Sequence, residues 1–200
     1  EIAAAKELGL PVIELQHGVI GPDCPDYDWP AAFAAHRQEM PLPDRMAMFG
    51  PTFSDFLLRS GFWRHNEIVS TGACAIDRYR ATSGARDHRD GALRLIYMTQ
   101  ATSRSSAVSF WSEFADSCKG QHDEVKVAIK VHPEESLDEY KQLMSRFPSR
   151  FELLSAASNP AEKMLESDIV ISYNSMALLE ALGLGRPAIS ICGGGIPSGL

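Results

Sequence analysis

The feature that most constrains the fold of this chain is an alternation of short apolar segments with longer segments of helical periodicity. Each apolar segment spans four to seven residues between glycine, proline or polar residues, as buried strands do. We predict strands at residues 11–15, 45–49, 67–71, 93–99, 125–131, 151–154, 168–172 and 187–192. Apolar spacing of about 3.6 residues predicts helices at residues 2–8, 54–60, 105–118, 136–147, 159–166 and 174–184. This order indicates an α/β protein whose parallel sheets carry helices on both faces.

A polar segment without apolar periodicity, Arg78 to Asp90, divides the chain. We interpret it as a linker between two α/β units, residues 1–90 and residues 91–200. The chain opens at Glu1 within a helical pattern and stops at Leu200 in a loop of glycine and proline. We therefore expect a piece of a longer protein, with the first unit incomplete and the second truncated at its end.

The charge balance argues against nucleic acid as a partner. Lys and Arg number 19 and Asp and Glu number 26, and the net charge of −7 is spread over both units, so neither is a basic module. No apolar run approaches the roughly 18 residues of a spanning helix. The four cysteines lie far apart without a C-x-x-C pair, and the sequence therefore predicts no metal site.

Ligands of open parallel sheets bind at the carboxyl ends of the strands, which directs attention to the residues that follow each apolar segment. The first such place is Gln16-His17-Gly18. A histidine there can act as a general base near neutral pH, and a glycine lets the backbone turn beside a substrate. The alternative is a histidine that only ends a strand.

The second place follows the strand at residues 125–131, where Lys130, His132 and Glu134 surround Pro133. A protonated imidazole next to a lysine suits a phosphate leaving group. The alternative is a proline-terminated strand with solvated charges.

The third place runs from Ser172 through Asn174 and Ser175 to Glu180, where a strand leads into a helix. The free N–H groups of that helix start form an anion site to which two hydroxyls can add. The alternative is an N-cap alone. Three glycines at residues 193–195 follow the last strand, but they match no phosphate-loop spacing.

The order of motifs along the chain is distinctive: QHG after the first strand, FGPTFSDFLLRSGF before IVSTGACAIDRY, then LIYMTQ, IKVHPEE and SDIVISYNSMALLEALGLGRPAIS. It resembles bacterial GT-B glycosyltransferases of surface-polysaccharide synthesis. The nearest groups use cytidine nucleotides, namely capsule and Kdo transferases, sialyl- and polysialyltransferases and CDP-glycerol glycerophosphotransferases. The resemblance implies two Rossmann-like doubly wound parallel-sheet units, the first of them incomplete.

The resemblance also implies a role for each candidate residue. His132 contacts the donor phosphate and helps the nucleotide leave, Ser172 and Ser175 bind that phosphate, and His17 is the base that deprotonates the acceptor hydroxyl. The full donor-binding set is Thr99, Gln100, Lys130, Glu134, Ser172, Asn174, Ser175 and Glu180, and the acceptor-side residues beside His17 are Gln16 and Gly18.

The implied activity is metal-independent and cofactor-free transfer of a sugar or glycerol phosphate to a polysaccharide or glycolipid acceptor of the bacterial surface. The donor is a nucleotide sugar, with CMP or CDP types favoured over UDP. The expected location is the cytoplasm, with peripheral contact to the inner face of the membrane left open. Two alternatives remain: a UDP-sugar 2-epimerase or UDP-sugar GT-B transferase, and a nucleotide-binding module without catalysis.

Overall fold

The computed structural model describes residues 1–21, 24, 26–82, 91–100, 104–118, 125–173 and 175–191. Its contacts divide the chain into two units, Glu1–Ala75 and Ile76–Leu200. Each unit is built on its own parallel sheet, so the predicted fold class is confirmed. The predicted boundary at residue 90 stays a prediction, because residues 83–90 lie outside the described part of the chain.

The described residues of the first unit form a sheet of three parallel strands in the order β1-β2-β3. These strands are β1 (Ile13–Leu15), β2 (Arg45–Met48) and β3 (Ile68–Ser70). Two α-helices accompany them, α1 (Ile2–Glu7) and α2 (Pro51–Arg59). Helix α2 begins with proline at its first position, where the ring presets the helical φ and no hydrogen bond is lost.

The segment between β1 and β2 contains helical structure that the apolar periodicity did not predict. Residues Ala31–Glu39 form a 3-10 helix, and His65–Glu67 form a short second one. Aromatic contacts anchor the segment, because the ring of Trp29 packs against Phe33 and Phe62. The sequence missed this helix because a 3-10 helix does not repeat apolar residues with the α-helical period.

The described residues of the second unit form a sheet of five parallel strands in the order β6-β5-β4-β7-β8. The strands are β4 (Leu93–Met98), β5 (Val125–Lys130), β6 (Phe151–Leu153), β7 (Ile169–Ser172) and β8 (Ala188–Ser190). The helices are α3 (Cys74–Thr82), α4 (Arg104–Ser117), α5 (Asp138–Arg146), α6 (Pro160–Leu165) and α7 (Met176–Gly183). The strands of this unit thus lie where the apolar segments predicted them. Its helices lie where the apolar periodicity predicted them, apart from α3.

Helix α3 occupies the start of the segment interpreted as a linker. Its apolar residues Ile76 and Tyr79 pack against a core cluster that includes α7. Gly183 makes this approach possible, because a Cβ there would lie 2.8 Å from Ile76. The Tyr79 hydroxyl accepts a hydrogen bond from Asn159, the N-cap of α6. The sequence did not indicate this helix, because two apolar residues in a polar segment do not establish a helical periodicity.

The strand order of the second unit creates a topological switch point. The chain moves outward from β4 through β5 to β6, then returns to the other side of β4 with β7 and β8. This is the arrangement of dinucleotide-binding folds, in which the ligand lies outside the carboxyl ends of the two strands where the direction reverses. Those strands are β4 and β7.

We predict that truncation in the centre of this sheet destabilises the protein far more than truncation at its edge. Ile129 on β5 is fully buried, whereas Ile189 on β8 is 48% exposed. Ile129→Ala is expected to lower the free energy of unfolding by about 2–5 kcal/mol. Ile189→Ala is the matched control, expected to cost about 1 kcal/mol or less. Urea unfolding followed by circular dichroism measures both, and equal losses would contradict the assigned core.

Candidate functional site

The carboxyl ends of β4 and β7 are joined by a side-chain hydrogen bond at the switch point. The Ser172 hydroxyl donates to the Met98 carbonyl at 2.7 Å, and Ser172 is fully buried. The hydroxyl proton of Ser172 is therefore engaged in the hydrogen bond between β7 and β4. Ser172, predicted as a phosphate ligand, lies at the right strand end but acts there as a bridge within the sheet.

The histidine that follows β5 is presented by a tight turn. The N–H of Glu135 donates to the His132 carbonyl at 3.0 Å, and the N–H of Glu134 donates to His132 Nδ1 at 3.2 Å. The His132 side chain is exposed. Because Nδ1 accepts from the backbone, Nε2 is the ring nitrogen that remains open to a ligand.

A buried carboxylate, Glu135, fixes this turn. Its Oε1 accepts from the Tyr140 hydroxyl at 3.1 Å, and its Oε2 accepts from the Thr99 hydroxyl and from the His132 N–H at 3.3 Å. The Thr99 oxygen also accepts from the His132 N–H, at 2.7 Å. The carboxylate thus ties the end of β4 to the turn after β5 and to α5.

Glu135 was not among the predicted donor-binding residues, whereas its exposed neighbour Glu134 was. The two glutamates are adjacent, and only the conformation of the turn decides which one points inward. The one available signal was Tyr140, which stands five residues after Glu135 at the start of the next helix and supplies the buried donor.

Thr99 and Lys130 are buried parts of the scaffold. The Thr99 N–H donates to the Lys130 carbonyl at 3.1 Å, which extends the pairing of β4 and β5. The Lys130 ammonium donates to the carbonyls of Ser155 and Ala156, at 3.2 and 2.8 Å, and so holds the loop after β6. Gln100 follows Thr99 and is half-buried.

The N-terminus of α7 lies beyond the end of β7. Ser175 is its N-cap, and the hydroxyl accepts from the Ala177 N–H at 3.2 Å. Burial raises the pKa of Glu180, which lies on the same helix, and burial also raises the pKa of Tyr173. Asn174, predicted as a donor contact, lies outside the described residues, as do the glycines at 193–195.

In the first unit, Gln16 clamps the turns that follow β1 and β2. Its Oε1 accepts from the Phe49 N–H and its Nε2 donates to the Gly18 carbonyl, each at 2.9 Å. The side chain is buried, so it shapes the edge without facing solvent. Gly18 has open space around it and no left-handed φ, so its backbone does not require glycine.

His17 stands at the carboxyl end of β1 with its ring exposed. Its Nδ1 lies 2.7 Å from the hydroxyl of Tyr27, a side chain only 1% exposed. This partner was not predicted, because Tyr27 comes ten residues later in a proline-rich segment.

Two cavities formed by described residues lie near the amino ends of strands and not at their carboxyl ends. One of about 750 Å³ borders the start of β2 in the first unit, and one of about 210 Å³ borders Arg94 and Lys163 in the second. Two of the cations that line the larger cavity are paired, Lys6 with Asp44 and Arg37 with Glu67. The carboxyl ends of the strands remain the candidate sites, because ligands of open parallel sheets bind there.

The described residues contain neither a metal-binding cluster nor a membrane-spanning helix. No three His, Cys, Asp or Glu side chains converge there as a metal site requires, and metal independence stays a prediction. No helix in these ranges is long and apolar enough to cross a membrane.

Comparison with known proteins identifies the fold. Neither a protein-family model nor a curated protein sequence matches the chain. Among solved structures, S. aureus MnaA with UDP matches with a TM-score of 0.66 and 13% identity, over 94% of this chain and 53% of that one. The UDP-GlcNAc 2-epimerase from Neisseria meningitidis bound to UDP-GlcNAc matches with 0.62 and 15%, over 94% and 55%. TarM matches with 0.54 and 12%, over 90% and 36%.

The chain thus spans about half the length of the first two structures that it matches. At these identities the likeness shows the fold, and the two parallel units of this chain have the Rossmann-like architecture on which GT-B enzymes are built.

We predict that Glu135 stabilises the second unit and that Glu134 does not. Glu135→Ala leaves the buried hydroxyls of Thr99 and Tyr140 without their acceptor, at a cost of about 1–3 kcal/mol or more. Glu134→Ala, the matched control, removes an exposed carboxylate and is expected to change the free energy of unfolding by about 0.5 kcal/mol or less. Urea unfolding at neutral pH compares the variants, and an unchanged midpoint for Glu135→Ala would contradict the network.

Proposed function

We propose that this chain is part of a GT-B enzyme that binds a nucleotide sugar and transfers a sugar or polyol phosphate to a bacterial surface polysaccharide. The observation that carries the proposal is the placement of His132 and the N-terminus of α7 beside the switch point between β4 and β7. Parallel sheets of this order bind nucleotide phosphates at that place.

On the donor side, we assign the phosphate to the start of α7 and to His132. Backbone N–H groups and the positive end of the helix dipole favour an anion beside Ser175. His132 offers Nε2 from a turn that Glu135 fixes, which is the preorganised geometry that stabilises a leaving phosphate. As the acceptor oxygen forms its bond to the transferred group, the bond to the nucleotide phosphate breaks, the phosphate leaves with the bonding electron pair, and the acceptor hydroxyl proton passes to solvent water.

On the acceptor side, we assign His17. The ring is exposed at the carboxyl end of β1, and buried Gln16 bonds the backbone of Gly18, the residue after His17, and that of Phe49 after β2. This placement supports a contact with the acceptor. We expect the predicted acceptor-side residues Gln16 and Gly18 to act through the shape of the turn.

A UDP-sugar 2-epimerase is the second candidate function, and a specific observation favours it. Two of the matching structures, with TM-scores of 0.66 and 0.62, are a UDP complex and a UDP-GlcNAc 2-epimerase. Preference for cytidine over uridine nucleotides has no support from these matches and remains part of the proposal drawn from the sequence motifs.

We predict that the chain binds nucleoside diphosphates through the second unit. Calorimetric titration with CMP, CDP, UMP, UDP and GDP is expected to show selective pyrimidine binding. His132→Ala and Ser175→Ala each remove a polar contact to the phosphate, and we expect each to weaken binding about tenfold or more, the scale of a hydrogen bond to a charged group.

His36→Ala is the control for this experiment, because His36 is also exposed but lies on the 3-10 helix of the first unit. It is expected to leave affinity unchanged. Cytidine selectivity would favour the transferase, and uridine selectivity would favour the epimerase or a UDP-sugar transferase. Binding that both variants leave intact would contradict the assigned phosphate site.

A further inference from the structure

We propose that Tyr27 holds His17 in the tautomer that carries its proton on Nε2, so that the ring presents an N–H donor to an anionic oxygen of the acceptor. The tautomer rests on the geometry of the first unit alone. The assignment of the anion to an acceptor rests on the proposed function.

The hydrogen bonds of the Tyr27 hydroxyl determine the direction of its proton. The hydroxyl oxygen lies 3.4 Å from the backbone nitrogen of His17 and 2.7 Å from His17 Nδ1. The backbone N–H can only donate, so the oxygen accepts there. Among the described residues, Nδ1 is the one acceptor that this hydroxyl contacts. A buried hydroxyl proton without an acceptor is costly, and it therefore points at Nδ1.

The phenol retains the proton that it donates. Burial is the largest cause that raises the pKa of Tyr27, and the nearby carboxylates Glu14 and Asp26 and the thiol of Cys24 raise it further. The backbone N–H of His17 opposes them and lowers it. Tyr27 is therefore a neutral hydroxyl donor at neutral pH.

The position of Tyr27 is fixed by the core and not by the histidine. The indole N–H of Trp63 donates to the Tyr27 carbonyl at 2.9 Å, and Trp63 is only 4% exposed. The Trp63 ring in turn packs edge-on against Phe62. A rigid phenol thus meets an exposed imidazole and orients it, which leaves Nε2 as the nitrogen that faces solvent.

This geometry gives His17 a different task from the one that the sequence predicted. When Nδ1 accepts from Tyr27, the proton of the neutral ring resides on Nε2, and no free lone pair remains to deprotonate an acceptor hydroxyl. An Nε2–H group instead binds a phosphate or carboxylate oxygen. In glycan acceptors that anion is supplied by a phosphodiester or by an acidic sugar.

The tautomer can be read directly from the ring nitrogens. In the chain labelled with 15N-histidine, above the pH at which the rings titrate, we expect His17 Nδ1 to show the shift of an unprotonated nitrogen and Nε2 that of a protonated one. His17→Gln identifies the signals by their loss. Tyr27→Phe is expected to move both shifts toward a mixture of tautomers.

Ser54→Ala is the matched control, since it removes another buried hydroxyl of the same unit, one that bonds Ser70 at 2.9 Å. It is expected to leave the His17 signals in place. A protonated Nδ1 in the unmutated chain would overturn the proposal without any variant, as would unchanged signals in a folded Tyr27→Phe protein.

The anion is tested with glycerol 3-phosphate, glucuronic acid and uncharged glycerol as probes. We expect glycerol 3-phosphate, glucuronic acid or both to change the 15N chemical shift of His17 Nε2, and glycerol to leave that shift unchanged. The anion that binds more tightly shows whether the group recognised is a phosphate or a carboxylate. His17→Ala is expected to weaken that binding about tenfold, whereas His17→Gln, whose amide N–H replaces Nε2–H, stays within about threefold. Equal losses, or no shift with either anion, would overturn the binding role. None of these measurements uses a nucleotide. They therefore test the role of His17 independently of the phosphate site proposed in the second unit.

Discussion

The hydrogen bonds around the Glu135 carboxylate organise the candidate donor site. Three groups from three elements converge on it: Thr99 at the end of β4, the backbone of His132 after β5 and Tyr140 on α5. A buried carboxylate is tolerated when hydrogen bonds satisfy its oxygens, and each of these bonds fixes one part of the edge. The orientation of the exposed His132 imidazole depends on this buried arrangement.

Buried and accessible polar side chains have different roles at the carboxyl ends of β1, β4, β5 and β7. Buried polar side chains, namely Gln16, Thr99, Lys130 and Ser172, use their hydrogen bonds within the protein and set the positions of turns. More accessible groups, namely His17, His132 and Ser175, stand on those turns. A polar residue after a strand therefore marks the edge where a ligand binds, but burial decides whether that residue touches the ligand.

The sequence predicted the strands well and the partners of the site residues poorly. Short apolar segments between glycines and prolines indicate buried parallel strands because hydrophobic burial is local and regular. Partners depend on tertiary placement: Tyr27 reaches His17 across ten residues, and Glu135 rather than Glu134 turns inward. Helix α3 was missed because its stability comes from packing of Ile76 against Gly183, which lies over a hundred residues away.

We propose that the carboxyl edge at the switch point of the second unit holds the nucleotide phosphates. A crystal structure of the chain with UDP or CDP bound would show where the phosphates lie. We expect a phosphate oxygen within hydrogen-bond distance of His132 Nε2 and of the α7 N-terminus beside Ser175. A nucleotide bound instead at the opposite edge, in the cavity between Arg94 and Lys163, would contradict it.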